Sequence, residues 1–379
     1  MPDLAVLLAV LAGVLGLARL AGWALTRLGQ PAVLGEILCG VALAPAAHLL
    51  PAPVDATLTS IAQLGLAVFL FAAGAHLTPS MTWTKTAVLP ALGATLVPLG
   101  AGAVLALWLA PRHSPAGTGA FVVFVAAAIS VTALPVLARI LAERGLLGTA
   151  TGRRALGTAA VTDVTAWTLL AIAAASLHGW SAHSPLPAAA ALAVVPWLAH
   201  GRFRTWLAGL SHPSATVVVV GFAFAAAAVT EAAGLHPAIG AFFAGAVVGH
   251  AVPALNPAEL VAPIGGLLAP LYFVHVGRTV DLGLLDAGLA AETAVIVVVA
   301  VLGKFGGAYL GARLGGVDPR PSGVFAVLMN TRGVTEIVFI GIGLSLGVLD
   351  RALYTAMVVL ALVTTAMTGP LLNRLREGV

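Results

Sequence analysis

The chain has 379 residues, of which 60% are hydrophobic and 8% charged, against roughly 25% charged in an ordinary soluble domain. So few Asp, Glu, Lys and Arg cannot cover several water-facing cores, which excludes a soluble multidomain protein and leaves an integral protein of the lipid bilayer. The formal net charge of +4 would suggest nucleic acid in a soluble protein, but these basic residues stand singly or in pairs between apolar runs, where they act as topology signals.

In chain order, the opening MPDLAVLLAV carries Asp3 instead of a basic n-region and reads as the start of a first span, not as a signal peptide. Cys39 is the single cysteine, so no intrachain disulfide or cysteine metal site is expected. Apolar windows of about 20 residues, enough to cross ~30 Å of hydrocarbon, begin near Leu4, Pro31, Thr57, Thr86, Gly119, Ala155, Pro187, Ala215, His236, Glu259, Gly288, Ser322 and Arg351. They predict an all-α polytopic membrane protein of about thirteen spanning helices. The separators, such as PAPVD, APRHSPAGTG and GGVDPRPSG, are turn chemistry. No linker or tail long enough for a soluble regulatory domain is expected.

Lys and Arg counted between alternate spans are strongly asymmetric. Arg27, Lys85, Arg139, Arg144, Arg153, Arg154, Arg202, Arg204, Arg313, Arg320, Arg374 and Arg376 fall on one face, against Arg112, Arg278 and Arg351 on the other. The first face is expected to be cytoplasmic, which puts the N-terminus outside and the C-terminus inside. The odd parity also gives two halves of opposite orientation around a linking helix at about 187–200, as in transporters built from inverted repeats.

Two spans in corresponding positions of the halves look interrupted. The fifth contains AAAISVTALPVLARI, where Pro135 removes a backbone donor and disfavours helix at Leu134, while Ser130 and Thr132 can bond freed backbone groups. The twelfth contains VLMNTRGVTEIVF, where Asn330, Thr331, Arg332, Gly333 and Glu336 occupy a would-be lipid span. At ~1.5 Å rise per residue, Thr132, Asp163, Lys304 and Arg332 all lie near ~14 Å from the cytoplasmic ends of their helices, the bilayer midplane. A charge at that depth costs from ~3 to over 10 kcal/mol, so polar broken helices meeting there point to a site.

Asp163 is the central residue. As a structural group it would pair with Lys304 or a helix terminus; as a functional group its carboxylate would hold one cation or one proton, the two competing for the same oxygens. A hard monovalent cation wants oxygen ligands, which Thr162, Thr132, Ser130 and carbonyls at the break could supply. Lys304, in VLGKFGGAYLGARL, is either a fixed counter-charge or a proton carrier among small residues that let helices approach closely. Arg332 and Glu336, four apart on one helical face, are expected to pair with each other. Glu36, near the start of the second span, reads equally as a helix-start acid or a lining residue. Glu231, His236 and His275 read as packing or interfacial residues.

With these residues identified, the chain resembles the monovalent cation:proton antiporter-2 family, which contains sodium/proton antiporters and potassium-efflux systems. The resemblance runs through GQPAVLGEILCGVALAP, LGLAVFLFAAGAHL, ISVTALPVLARILAERGLLGT, GTAAVTDVTAWTLLA, LHPAIGAFFAGAVVG, PLYFVHVG, LGKFGGAYLGARLGG and NTRGVTEIVFIGIGLSLGVL, in that order. It implies a sodium/proton antiporter-like fold in which the fifth and twelfth helices are broken and cross. A core domain of helices four to six and eleven to thirteen (about 86–178 and 288–376) would move against a dimerising domain of helices one to three and eight to ten (about 4–76 and 215–280). It also implies a homodimer and elevator-type alternating access. By position, Asp163 matches the family's ion-binding aspartate and Lys304 its basic residue of helix eleven. Thr162 departs from the Asp or Asn of many relatives, so Lys304 must pair with Asp163 or Glu336 or stay neutral, and the loss of one carboxylate favours electroneutral exchange. The expected function is Na+ or K+ exchange for H+ at a bacterial-type plasma membrane, in pH homeostasis, with no bound cofactor and the transported cation on Asp163. The alternatives are a non-transporting sensor or repurposed enzyme on the same scaffold, or a sodium-coupled solute symporter.

Overall fold

The computed structural model describes residues 4–76, 84–115, 117–146, 148–178, 201–233 and 235–376. These residues form helices α1 (Leu4–Arg27), α2 (Ala32–Leu43), α3 (Ala52–Ala75), α4 (Lys85–His113), α5 (Thr118–Ser130), α6 (Leu134–Glu143), α7 (Ala150–His178), α8 (Gly201–Ala208), α9 (His212–Ala232), α10 (Pro237–Ala251), α11 (Pro257–Arg278), α12 (Ala287–Leu314), α13 (Pro319–Met329), α14 (Val334–Ser345) and α15 (Arg351–Arg376). Among the described residues, eight helices are long and apolar enough to cross a membrane, and shorter apolar helices lie at Ala32–Ala46, Thr118–Ser130, Pro237–Ala251 and Thr335–Ser345. The all-α polytopic expectation therefore holds. The predicted linker near 187–200 falls outside the described residues.

The predicted starts were late where polar residues open a helix: the third span begins at Ala52, not Thr57, and the sixth at Ala150, not Ala155. In each case the helix opens on a turn whose charge, Asp55 in one and Arg153 with the following Arg154 in the other, lies outside the apolar window. The break in the fifth span lies at 131–133, and helix resumes at Leu134. Pro135 thus stands in the first turn of α6, where its missing N–H is no loss, instead of inside the gap.

The chain divides into two compact units. The first, Met1–Arg27, Gly35–Thr78 and Ala174–Thr279, contains α1, α3 and α8 to α11 with most of α2. Its core packs Val68 and Phe71 of α3 against Val219 and Ala223 of α9, Val248 of α10 and Val261 of α11. His236 caps α10 by accepting the Ala238 amide on Nδ1 at 3.2 Å. Arg278, the last residue of α11, pairs with Asp55 of α3 at 2.7 Å. Glu36 is buried in this unit.

The second unit, Leu28–Leu34, Pro79–Ala173 and Val280–Val379, contains α4 to α6, α12 to α15 and most of α7. Helices α4 and α12 pack backbone to backbone: a methyl group at Gly93 would strike the Gly307 carbonyl, and one at Gly307 the Gly93 carbonyl. In lipid, where apolar side chains gain nothing by leaving one neighbour for another, such close packing is the main attraction between helices. At one end of this unit His113, closing α4, bridges two carboxylates. Its Nδ1 lies 2.7 Å from Asp350 Oδ2 and its Nε2 lies 2.8 Å from Glu292 Oε2. Arg112 reaches the other Glu292 oxygen at 2.9 Å, and Asp350 Oδ1 caps α15 by accepting the Leu353 amide at 2.7 Å.

Candidate ion-binding site

Helices α5 and α6 form one interrupted span and α13 and α14 another, and both interruptions lie in the second unit. An interruption strands carbonyls at the end of the first half-helix and amides at the start of the second, and at membrane depth each must find a protein partner. The two gaps supply one another. The Ala133 amide donates to the Thr331 carbonyl at 3.1 Å, and Thr132 Oγ1 donates to the Met329 carbonyl at 3.0 Å. Thr365 of α15 donates to the Arg332 carbonyl at 2.8 Å. At Gly333 an added methyl would meet Val136 Cγ2 at 2.8 Å, so the chains cross where a side chain would hold them apart.

The charged residues complete this accounting. Arg332 donates to the Ala128 carbonyl at 3.1 Å and the Ile129 carbonyl at 2.6 Å, both in the last turn of α5, and it ion-pairs with Glu336. The expected Arg332–Glu336 pair is present, with both side chains fully buried. Lys304 Nζ donates to the Ser130 carbonyl, also at the end of α5, and to the Ala94 carbonyl of α4 at 3.1 Å. Asp163 of α7 accepts the Leu134 amide that opens α6. Cations therefore sit on the negative end of one half-helix and carboxylates at the positive starts of the others, since Glu336 lies in the first turn of α14.

Every predicted site residue is buried in this region: Asp163 is 2% exposed, and Ser130, Thr132, Thr162, Lys304, Arg332 and Glu336 are 0% exposed. The hydrogen bonds add two particulars. Lys304 is held by backbone carbonyls, not by Asp163 or Glu336, although both acids act on it electrostatically. The hydroxyls of Ser130 and Thr162 donate to their own helices, to Ala127 and Ala159 at 2.9 Å each, so only their oxygen lone pairs remain to face an ion.

Asp163 Oδ1 is buried without a hydrogen-bond partner, and the same holds for Thr158 Oγ1, both amide atoms of Asn330, Thr331 Oγ1, Thr335 Oγ1, Arg332 Nε and Glu336 Oε2. Buried polar atoms are normally satisfied, so this collection is chemically incomplete without a proton, cation or water. Thr158, Thr335, Thr365 and the Ala94 carbonyl were missed from sequence. Thr158 could have been found five residues before Asp163, whereas Thr335 and Thr365 resemble the many threonines that merely bond their own helix. Trp167, one turn beyond Asp163, packs with Phe339 at 6.1 Å, and Phe339 with Phe124 at 4.8 Å, giving the site an aromatic neighbour layer.

Two crossed, interrupted helices around a buried Asp163 and a buried Lys304 fit a secondary transporter of the antiporter class, the class to which the family match assigns the chain. The chain belongs to the sodium/hydrogen exchanger transmembrane family, whose pattern matches residues 15–375. It is 32% identical over 402 residues to the Na(+)/H(+) antiporter NhaS4 of Synechocystis, covering 98% of this chain and 97% of that protein. It is 30% identical over 381 residues to K(+)/H(+) antiporter 1 of Saccharomyces cerevisiae, covering 90% of this chain and 43% of that longer protein. The fold matches the sodium proton antiporter MjNhaP1 of Methanocaldococcus jannaschii with a TM-score of 0.71 at 17% identity, over 98% of this chain and 99% of the other.

Proposed function

We propose that this protein exchanges Na+ or K+ for H+ across a bacterial-type plasma membrane, with cation and proton competing for Asp163. The observation that carries the reading is the Asp163 carboxylate, buried at a helix break with one oxygen committed to the Leu134 amide and Oδ1 unmatched. A proton or a dehydrated cation satisfies that oxygen, and one excludes the other. Both cations fit the proposal, since one similar protein is named for Na+ and another for K+.

Thr162 brings no second carboxylate beside Asp163, so one negative charge is available to carry either one cation or one proton. That arithmetic favours electroneutral exchange, with Lys304 a fixed positive charge. In this reading the second unit is the moving core of an elevator and the first a dimerising scaffold, in a homodimer with N-termini outside and C-termini cytoplasmic. Exchange of this kind serves pH homeostasis and calls for no resident cofactor.

Purified protein in liposomes loaded with a pH dye tests the reading. Adding Na+ or K+ is expected to move protons in the wild type and not in Asp163→Asn. Equal rates with valinomycin-clamped potentials of either sign would support electroneutrality. Failure of both cations to move protons, with the protein shown folded and inserted, would refute the exchange reading.

A further inference from the structure

Lys304 is held by two carbonyls, of which only Ser130 belongs to a helix break. The other, Ala94, lies inside the continuous helix α4, where a carbonyl ordinarily accepts the amide four residues on. That residue is Pro98, which has no amide hydrogen. Ala94 is 0% exposed, so bulk water does not reach this carbonyl, and the Lys304 ammonium donates to it at 3.1 Å.

The relation recurs at other prolines. Pro90 leaves the Thr86 carbonyl without its helical donor, and Arg154 Nε donates there at 2.8 Å. Pro270 of α11 does the same for Gly266, whose carbonyl accepts from Arg19 at 3.0 Å. In each case a cationic side chain fills the acceptor that a proline has released within a spanning helix.

Building on the exchange reading, we propose that Pro98 is a positioning residue for ion exchange: it presents the Ala94 carbonyl as a fixed acceptor that holds the Lys304 ammonium off Asp163. With the ammonium held between Ala94 and Ser130, Asp163 Oδ1 stays open to the transported ion. If the Ala94 carbonyl is reclaimed by its own helix, Lys304 loses one of its two acceptors and turns to the carboxylate that already attracts it. The cation and the proton must then displace a lysine.

Pro98→Ala supplies the missing amide hydrogen and tests this. In liposomes the apparent KM for the driving cation is expected to rise about tenfold, the scale of one charge-assisted hydrogen bond, with little change in maximal rate. The transport-versus-pH profile is expected to shift to acid by about one unit. Pro90→Ala, which restores a helical bond away from Lys304, is expected to change neither. In a Lys304→Gln background, Pro98→Ala is expected to leave the cation KM unchanged. A Pro98→Ala KM within about twofold of wild type, or an equal rise in the Lys304→Gln background, would overturn the proposal. A thermal-unfolding cycle on the detergent-purified protein needs no transport and so separates this proposal from the exchange reading. Non-additive melting shifts for Pro98→Ala and Lys304→Gln support the coupling, and additive shifts contradict it.

Discussion

Lys304 and Asp163 contact opposite sides of the same helix break. The ammonium donates to the carbonyl of Ser130, the last residue of α5, and the carboxylate accepts the amide of Leu134, the first residue of α6. Each charge is thereby offset by a half-helix terminus without a direct ion pair between them. In the proposed exchange, this arrangement leaves the carboxylate free to take up and release an ion.

Arg332 is expected to be the most costly side chain in the second unit to remove. It donates to two carbonyls in the last turn of α5 and pairs with fully buried Glu336. Arg332→Met leaves that carboxylate buried and unpaired and should cost about 3–5 kcal/mol, whereas Arg332→Met combined with Glu336→Met should recover part of the loss. Thermal unfolding in detergent measures both. A single mutant as stable as wild type would contradict the structural role given to the pair.

Much of this was legible in the sequence because charge is so expensive in lipid. Asp163, Lys304, Arg332 and Glu336 announced themselves as rare ionisable residues in apolar runs, and ALP and NTRG marked the two interruptions. The partner of Lys304 was not legible by the same logic, because a backbone carbonyl has no signature in composition. The sequence does hold a signal, Pro98, which leaves the carbonyl four residues back without its helical donor. The exact break was hidden too, since Pro135 suits both a gap and a first turn, and the Leu137 amide donating to the Ala133 carbonyl at 2.9 Å distinguishes them.

Gly307→Val should separate α4 from α12. The added side chain runs into the Gly93 carbonyl and lies near Val97 Cβ. Overpacking of this kind costs about 1–3 kcal/mol, and the resulting shift draws Lys304 away from Ala94. Lower melting temperature together with a raised cation KM is the expected pair of results; a stability loss with KM unchanged would separate the helix contact from the position of Lys304.

The bridge at His113 should make stability depend on pH. Both of its hydrogen bonds are made at once only by the imidazolium, which has two N–H donors. Burial pushes the Asp350 carboxyl up, but the His113 hydrogen bond, the Leu353 amide, the charge of His113 and the Ala352 amide more than offset this, so it lies below the ordinary value. A depressed carboxyl stabilises fully above its unfolded value and loses that contribution as pH falls through the folded one. At the alkaline side the bridge loses its second donor. The wild type should therefore melt at a lower temperature at about pH 9 than at about pH 6, across the range where histidine titrates. Asp350→Asn, which keeps an oxygen to cap α15, should flatten that dependence, and an unchanged slope would remove the bridge from the explanation.

The most direct test of the central claim is the cation KM measured as a function of pH in liposomes. If one carboxylate holds either ion, the apparent KM of the wild type rises about tenfold for each unit of acidification in the range where Asp163 is protonated, with constant maximal rate. A KM that does not move with pH, or exchange that persists in Asp163→Asn, would contradict the account.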